Sequence, residues 1–330
     1  MDLSAAHVVK SSAATQTQSA SGLKKLRETL NPKARRLRDE ALGRLKTRIL
    51  VCGNLLTWGM HGVAFAAEED PSQLWPAVTE ALFRVRRAER LSGQTDFVMV
   101  KDLSEPECTD AAALDRFSYR AMETEPNMLL EIPPTGKSYD HYLGSLSASY
   151  RKVARRIHKD IEDAGCRVRT LDRLDDQADA LHSLYLQVHR NARVRLVTIP
   201  AGYLPALAAI APERFRCTVV EREGRFLGFV TTVKDRDTAV GYLIGFDRES
   251  SANLPIYLRL LHAVIADALE LGCQRISFGR TALEPKARLG AKPHPFRVWV
   301  RHRQPVLNLL VGNLLRSVSH EEPPERHPFK

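Results

Sequence analysis

An amphipathic pattern runs through the stretch YDHYLGSLSASYRKVARRIHKDIEDAG, residues 139–165. Its apolar residues recur at the spacing of a helix and share one face, so the Arg and Lys side chains occupy the opposite face. The apolar set comprises Tyr150, Val153, Ala154, Ile157, Ile161 and Ala164. We therefore predict one long helix over about 139–164, which Gly165 ends.

After Gly165 the pattern changes to short apolar runs that are separated by turn residues. A strand, CRVRTL, precedes a helix over about 175–193 and a short helix over about 203–211. The segments FRCTVVERE, RFLGFVTTVKD and TAVGYLIGFD are rich in β-branched and aromatic residues and are joined by short turns, which predicts an antiparallel meander. A helix over 255–271, the strands CQRISFG and RVWVRH, and a final helix in PVLNLLVGNLLRSV complete the pattern.

The first 138 residues divide into shorter segments. Residues 1–22 are rich in Ser, Ala and Thr and are predicted to be disordered, and a basic helical segment follows. The runs RILVCG, HGVAFAAE, TDFVMVKDL and PNMLLEIPP predict strands, with a helix from Asp70 to Gly93 between the second and the third. We divide the chain into the tail 1–22, the basic segment 23–47, an N-terminal α/β subdomain 48–135, a main domain 136–303, and a C-terminal helix and polar tail 304–330.

The order of elements in the main domain predicts its topology. Strand, helix, helix, three antiparallel strands, helix and strand is an α+β order with a central sheet. The helix over 255–271 is a crossover, so TAVGYLIGFD and CQRISFG should lie side by side and run parallel. One parallel pair in a mostly antiparallel sheet is a place where strands can separate. We expect a slot for an extended ligand there.

The composition limits the classes of partner that this protein can bind, but it does not select one of them. The chain has 44% hydrophobic and 27% charged residues, as soluble globular proteins do, and its net charge of +10 predicts anionic partners: nucleic acid, phosphate-bearing cofactors or anionic lipid. Its five cysteines have no zinc spacing and favour reduced thiols in a cytoplasmic protein, so we expect no metal. No apolar run has the length of a membrane span, and the nearly acid-free N-terminus leaves an organelle transit peptide as the alternative.

Three motifs and their order resemble a known family. The order of elements over 166–279 resembles the GNAT superfamily of acyltransferases, a mostly antiparallel mixed sheet flanked by helices. The flanking motifs are similar to those of its FemAB-like branch, which is related to peptidoglycan aminoacyltransferases and moves acyl or aminoacyl groups to amines. The motifs are the stretch 139–165, NLPIYLRLLHAVIADALELGCQRISFGR, and EPKARLGAKPHPFRVWV. FemAB-like proteins often hold two such folds in tandem, so 48–132 is interpreted as a reduced first copy.

The resemblance implies where an acyl donor lies. The donor would thread between the two separated strands, a backbone N–H near Tyr242–Phe246 would polarise its carbonyl, and its phosphates would meet the next helix N-terminus. The implied donor-binding residues are Gly245, Phe246, Arg248, Ser250, Ser251 and Asn253. The Gly-rich pyrophosphate loop of acetyl-CoA enzymes is absent. The donor is therefore predicted to be an acyl-CoA, with aminoacyl-tRNA as the alternative, and a catalytically inactive relative also stays open.

Other residues are assigned to the acceptor and to proton transfer. Arg280 and Lys286 follow the strand CQRISFG and could bind an anionic acceptor or stabilise an oxyanion, or they could be solvated loop cations. The proton-transfer candidates are Tyr257, in the first turn of the helix over 255–271, then Tyr242 and Asp247. His262 lies among apolar residues of that helix and is predicted to be a core histidine.

The basic helix face admits two interpretations. Arg151 and Arg155 are predicted to bind an anionic acceptor or tRNA, and a merely solvated face is the alternative. A basic protein that binds RNA or DNA is the competing function. The flanking sequence lacks the interleaved aromatic residues of a single-strand platform and has no helix-turn-helix or zinc-finger spacing. The sequence therefore favours an acyltransferase that acts on an amine acceptor.

Overall fold

The fold was analysed in a computed structural model, which describes residues 2–3, 47–88, 95–105, 107–133, 138–192, 197–316 and 324–330. The predicted basic segment 23–47 and the predicted disordered tail 1–22 lie outside these ranges, apart from Asp2, Leu3 and Thr47. Within the described ranges, no helix has the length and apolar character to cross a bilayer. The same ranges contain no cluster of three His, Cys, Asp or Glu side chains that could hold a metal ion.

The described residues form one mixed sheet of ten strands. In chain order the strands are β1 (Asp2–Leu3), β2 (Thr47–Cys52), β3 (Phe97–Leu103), β4 (Arg120–Glu131), β5 (Arg167–Thr170), β6 (Phe215–Arg222), β7 (Arg225–Asp235), β8 (Thr238–Phe246), β9 (Arg275–Ser277) and β10 (Lys292–His302). Across the sheet the order is β1-β2-β3-β10-β4-β9-β8-β7-β6-β5. The pairs β2/β3 and β8/β9 are parallel and the other pairs are antiparallel. The predicted α+β class is confirmed.

Helices cover the sheet. Those within the described residues are α1 (Pro71–Ala88), α2 (Glu107–Asp110), α3 (Tyr139–Ser145), α4 (Ala148–Asp163), α5 (Ala178–His189), α6 (Tyr203–Ile210), α7 (Arg248–Ser251), α8 (Ile256–Glu270), α9 (Leu283–Arg288) and α10 (Pro305–Arg316), with 3₁₀ turns at Ala111–Phe117, Asp175–Gln177 and Pro212–Arg214. Helix α8 packs on β6, β7 and β8, and α5 packs on β7 and β8. The largest apolar core lies beneath α8, where Leu260, Val264 and Ile276 are buried.

The predicted meander β6–β7–β8 is confirmed, and the reason for its first turn is local. Glu223 and Gly224 both have positive φ angles, 52° and 77°, and they join residues 222 and 225, which are directly paired. Two positive φ angles are what a two-residue hairpin turn of the favoured handedness requires. Gly272, at φ 66°, follows the end of α8 as predicted.

The predicted single helix over 139–164 is wrong at one point, because it is divided into α3 and α4. Leu146 is extended, at ψ 146°, and pairs with Phe329 of the C-terminal segment 324–330. The Ser147 N–H donates to the Pro328 carbonyl at 2.8 Å. The Lys330 N–H also donates to the Ser145 carbonyl. These two hydrogen bonds to the C-terminal segment replace two backbone hydrogen bonds that a continuous helix would make. The apolar periodicity on both sides of the break gave no sign of it.

The predicted strand HGVAFAAE is also wrong, since residues 61–66 form no strand. The alternating apolar residues Val63 and Phe65 pack against the core beneath α1, with the Phe65 ring edge-on to Trp75 at 5.7 Å. Gly62 presses so closely on the preceding segment that a Cβ there would lie 2.5 Å from the Gly53 nitrogen. An alternating apolar pattern therefore shows which side chains are buried. A loop packed against the core produces the same pattern as a strand.

One sheet runs through both parts of the chain. Strand β4 pairs with β10 on one side and with β9 on the other, so the N-terminal strands and the main domain share their hydrogen-bond ladder. The predicted boundary between residues 135 and 136 falls in 134–137, outside the described residues. The division into subdomains, and the interpretation of 48–132 as a reduced GNAT-like copy, stay predictions.

A buried carboxylate ties α8 to the sheet. Asp267 accepts hydrogen bonds from the hydroxyls of Thr218 on β6 and Thr232 on β7, each at 2.8 Å. Burial raises the pKa of Asp267 to about 6, although both threonine hydrogen bonds favour the ionised form. The protonated form of the Asp267 carboxyl is therefore more favoured in the folded protein than in an aspartate exposed to water.

Acidification should stabilise the parent protein relative to Asp267→Asn between about pH 6 and pH 4. In that window the folded carboxyl takes up a proton while the unfolded one, with a pKa of about 3.9, does not. At about 1.4 kcal/mol per pKa unit, the difference in unfolding free energy should shift by about 2 kcal/mol. Urea denaturation at pH 4, 5, 6 and 7.5 measures it, with exposed Asp176→Asn as the control. A difference independent of pH would contradict the assignment.

Candidate functional site

The candidate site lies where β8 and β9 separate. The two strands are parallel neighbours over three residue pairs, from Thr238 with Arg275 to Val240 with Ser277. Beyond Ser277 the chain turns to β4, where the Phe278 N–H donates to the Met128 carbonyl at 2.9 Å. Strand β8 continues to Phe246 with no described strand on that edge. The predicted parallel pair is confirmed, and the two strands diverge after it.

A β-bulge in β8 lies at the point of divergence. Val230 pairs with Ile244 and Thr232 with Gly241, so Tyr242 and Leu243 together stand opposite Thr231. The Thr231 hydroxyl accepts a hydrogen bond from the Leu243 N–H at 3.0 Å and so holds the bulge in place. A bulge bends and twists its strand and leaves backbone groups outside the ladder. It thus bends β8 at the residues where β9 leaves it.

The bulge also changes which side chains face each side of the sheet. Before it, Gly241 lies against Val264 of α8. After it, Leu243 packs with the core beneath α5, while Ile244 and Phe246 pack with the core beneath α8. Residues 240–244 are all half-buried although β8 is an internal strand of the sheet. The edge of β8 beyond the bulge is therefore partly accessible to solvent.

Buried polar contacts fix the end of β9. The Ser277 hydroxyl accepts from the Trp58 indole N–H at 2.7 Å and donates to the Asn127 side-chain oxygen at 3.0 Å. The same Asn127 oxygen accepts from the Gly279 N–H at 3.0 Å. Gly279 has a φ of 79°, and the Trp58 ring lies over it. The loop that carries Trp58 thus holds the strand end that forms one wall of the gap.

Two predicted donor-binding residues lie at the end of β8. A Cβ on Gly245 would lie 2.6 Å from the Tyr185 nitrogen, so glycine is required here by the close approach of α5. The Phe246 ring lies 5.9 Å from the ring of Tyr257 on α8. Phe246 faces α8, whose N-terminus is where the donor phosphates are predicted to lie, and Gly245 faces α5. Their roles in binding a donor stay predictions.

The remaining predicted donor-binding residues form the connection between β8 and α8. Arg248, Ser250 and Ser251 belong to the short helix α7, and Asn253 follows it on the surface. Ser250 donates to the carboxylate of Asp247 at 2.6 Å, and the Arg248 N–H donates to the Gln187 side-chain oxygen at 3.2 Å. These contacts shape the connection, and whether it binds phosphates stays a prediction.

The three proton-transfer candidates have different surroundings. Burial raises the pKa of Tyr257 to about 12, and no described residue hydrogen-bonds its hydroxyl. The hydroxyl of Tyr242 lies 2.6 Å from that of Tyr203 on α6, and burial raises the Tyr242 pKa as well. The Asp247 carboxylate accepts from Arg225 at 3.2 Å besides Ser250. Among the three, Tyr257 offers a protonated hydroxyl that is not engaged by another described side chain.

Arg280 and Lys286 lie just past the end of β9, as predicted, and both have partners. Arg280 forms an ion pair with the fully buried Asp102, which Lys101 also contacts, and its guanidinium lies over the Phe296 ring at 4.9 Å. Lys286 is only 3% exposed and donates to the carbonyls of Gly279 and Thr281, at 3.2 and 2.5 Å. Their side chains are therefore held by the protein, and their substrate-binding roles stay predictions.

Raising the pH should stabilise the parent protein relative to Lys286→Met. Burial lowers the pKa of Lys286 to about 7, whereas the unfolded lysine titrates near 10.4. Between these values the unfolded chain binds more protons, so stability rises with pH. The difference in unfolding free energy between parent and variant should grow by about 2 kcal/mol from pH 7.5 to pH 9. Urea titrations test this, with the exposed Lys292→Met as control; a constant difference would contradict it.

The basic face of α4 is on the surface. Arg155 is exposed, and Arg151 donates to the Gly144 carbonyl at 3.3 Å. His262 is buried, which confirms that it is a core histidine, and its Nδ1 lies 2.8 Å from the Tyr139 hydroxyl. That hydroxyl is also 2.9 Å from Nε2 of His158. Burial lowers the pKa of His262 to about 3 and that of His158 to about 4, so both rings are neutral at neutral pH.

Sequence reasoning missed the residues that the N-terminal region contributes. Trp58, Asp102 and Asn127 all contact the chain at or just after the end of β9, and Lys101 contacts Asp102. Their contacts join residues 150 to 220 positions apart, roughly, which no local pattern records. The sequence offered one sign of these contacts. Asp102 is an acidic residue at the end of the segment TDFVMVKDL, whose other residues are typical of a buried strand.

Comparison with known proteins identifies the fold. Residues 148–291 match the family model described as Acetyltransferase (GNAT) domain. The C-terminal domain of a putative lysylphosphatidylglycerol synthetase from Agrobacterium fabrum is similar, with 14% identity, a TM-score of 0.50, and coverage of 74% of this chain and 77% of that one. L-PGS from Bacillus licheniformis has 13% identity, a TM-score of 0.50 and coverage of 74% and 79%. FemX has 12% identity, a TM-score of 0.49 and coverage of 77% and 81%.

No curated protein sequence gives a significant match. At identities this low, the solved structures show the fold alone, and the family match supports acyl transfer as the general class of activity. The resemblance that the sequence predicts is thus confirmed. Residues 148–291 of this chain match the GNAT acetyltransferase domain model, and the chain shares its fold with the lysylphosphatidylglycerol synthetase C-terminal domain.

Proposed function

We propose that this protein transfers an acyl group from a CoA thioester to an amine acceptor by direct attack. The observation that carries the proposal is the divergence of β8 and β9 at the bulge of Tyr242 and Leu243. A thread-like donor can lie beside the free edge of β8 and use its unpaired backbone groups. The proposal places the reaction in the cytoplasm and involves no metal.

The reaction needs three contributions from the protein. The amine and the thioester must be held together, the oxyanion must be stabilised, and one proton must reach the leaving sulfur. The amine nitrogen forms the new C–N bond as the C–S bond breaks. The amine gives up one proton and the thiolate gains one, so protons balance for a neutral amine.

Residues of this chain can supply these contributions. Backbone N–H groups of β8 beyond the bulge would donate to the developing oxyanion, since they lie outside the ladder with β9. Tyr257 would protonate the leaving thiolate, because its hydroxyl is protonated at neutral pH and no described residue hydrogen-bonds it. Arg280, whose side chain is partly exposed close past the end of β9, would hold an anionic group of the acceptor, and the buried Lys286 would support the loop that carries it.

The exposed cations of α4 favour a second donor, an aminoacyl-tRNA. Lys152, Arg155, Arg156 and Lys159 are all exposed on one helix. Such a face would contact the tRNA backbone, and its contribution would fall steeply with salt concentration. If CoA binds independently of the salt concentration and tRNA does not bind at 150 mM salt, this alternative is excluded. If tRNA binds in a salt-sensitive way and CoA does not bind, the alternative is favoured. Equal binding of unrelated RNA or DNA would instead support the competing nucleic-acid-binding function.

A thermal-shift screen tests the proposal first. Acetyl-CoA, longer acyl-CoAs, free CoA and charged tRNA are each added to the full chain. A ligand at 100 times its dissociation constant should stabilise the fold by about 2.7 kcal/mol. Any acyl-CoA that binds is then incubated with a panel of amines, and mass spectrometry measures the N-acyl product and free CoA in equal amounts. No shift with any donor, or CoA release without N-acylation, would reject the proposal.

A further inference from the structure

A groove of about 550 Å³ lies between the first half of α4, the start of α8, and α9. Its volume falls within the range of about 300–1,000 Å³ that is usual for small-molecule sites. Its apolar walls are formed by Tyr150, Val153, Ile157, Leu258, Leu261 and Leu289. The acyl-transfer reaction proposed above uses none of these side chains.

One wall of the groove is an apolar helix face that is only partly covered by the rest of the protein. Ala154, Ile157 and Ile161 of α4 are buried, but Val153 on the same face is 53% exposed. Val153 lines the groove together with residues of α8 and α9. An apolar side chain at the edge of an apolar cavity gains free energy when a hydrocarbon covers it.

The rim of the groove carries a surplus of positive charge. Glu284 accepts a hydrogen bond from Arg288 at 2.7 Å and two from Arg326, at 3.1 and 3.0 Å. All three residues line the groove, so two guanidinium groups share one carboxylate. Both arginines keep part of their side chains exposed to solvent. An anionic group at this rim would complete the charge balance.

The histidine that lines the groove is uncharged. His262 is hydrogen-bonded to Tyr139 and is neutral at neutral pH, as described above. A neutral, buried imidazole imposes no charge on a ligand that lies over it. The interior therefore suits a hydrocarbon chain, while the rim suits an anion.

We propose that this groove binds the hydrocarbon chain of an anionic amphiphile, with its carboxylate or phosphate at Arg288 and Arg326. Long-chain fatty acids and lysophospholipids share this chemistry. The proposal concerns binding alone, so it stands or falls independently of the acyl-transfer reaction.

Displacement of a fluorescent fatty acid, cis-parinaric acid, from the full chain tests the proposal. Palmitate and lysophosphatidylglycerol are the two competitors, and whichever displaces the probe identifies the source of the chain. Val153→Glu places a carboxylate beside the chain and should weaken binding at least tenfold. The matched control is Ile210→Glu on α6, where the isoleucine is 81% exposed. This control should bind within twofold of the parent, and both variants should keep the parent melting temperature.

A second comparison tests the position of the anion. Arg288→Gln should weaken laurate binding about tenfold and leave the binding of dodecanol, a neutral chain of the same length, within twofold. Arg173→Gln, an exposed arginine near α5, is the control. Equal loss of laurate and dodecanol on Arg288→Gln would overturn the head-group assignment.

Two outcomes would overturn the binding proposal itself. One is that neither amphiphile displaces the probe saturably, or that Val153→Glu binds as the parent does. The other is that the parent self-associates in light scattering, Val153→Glu is monomeric, and neither binds the probe. The groove would then be a protein interface. Binding of acetyl-CoA is measured separately and has no bearing on either result.

Discussion

Gly245→Ala should destabilise the protein by about 3 kcal/mol or prevent it from folding. A Cβ at this position would lie 2.6 Å from the Tyr185 nitrogen and 2.7 Å from the Leu184 carbonyl carbon, both in the backbone of α5, and closer still to the Phe229 ring. Backbone atoms cannot rotate away as a side chain can, so α5 would have to move off the sheet. Overpacking a core typically costs 1–3 kcal/mol, and a backbone clash belongs at the upper end.

The control for this prediction is Gly202→Ala, before α6. Gly202 has a φ of −70°, and a Cβ there would meet no atom within 4 Å. Its unfolding free energy should stay within about 0.5 kcal/mol of the parent value. Urea denaturation measures both variants. If Gly245→Ala unfolds at the parent midpoint, α5 does not lie directly against β8 as described.

Tyr257→Phe should lower kcat about 100-fold while KM and the melting temperature change little. Positioned proton transfer contributes roughly 10²–10⁴ in rate, and the variant removes only the hydroxyl oxygen. No described residue hydrogen-bonds that hydroxyl, so the fold loses no contact with its removal. The Phe246 ring, 5.9 Å away, still packs against the substituted ring. The rate of CoA release with the amine found in the panel above measures the effect.

Tyr242→Phe is the comparison that makes this assignment testable. Its hydroxyl contacts Tyr203 at 2.6 Å, so its loss should lower stability by about 1 kcal/mol and kcat by less than fivefold. The reverse order of effects, with Tyr242→Phe much slower than Tyr257→Phe, would assign the proton donor to β8. Equal, small effects of both variants would mean that solvent protonates the thiolate.

Most of the main domain could be predicted because its signals are local. Glu223 and Gly224 mark a two-residue turn, Gly272 marks a helix end, and the helix between β8 and β9 forces a parallel pair. The break at Leu146 could not be predicted, since its cause is a segment about 180 residues further along the chain. Hydrophobic periodicity records burial, and it carries no information about which distant backbone supplies a hydrogen bond.

The candidate site was predicted in part for the same reason. The position of the gap followed from chain order, and Tyr257 followed from its place in the first turn of α8. The bulge depends on a cross-strand mismatch between Thr231 and the pair Tyr242 and Leu243, which has no sequence signature. Trp58 and Asn127 reach β9 from the N-terminal region through tertiary contacts alone. Their contacts with β9 could not be predicted from the sequence.

The place of β10 between β3 and β4 has a consequence for how this chain acquires its structure. Val98 and its partner Arg301 are about 200 positions apart, and both neighbours of β10 are made early in synthesis. Until β10 emerges from the ribosome, β3 and β4 each display an unsatisfied edge, which is the kind of surface on which nascent chains aggregate. Production of this protein should therefore benefit from chaperones that shield extended segments, and slower translation should increase aggregation.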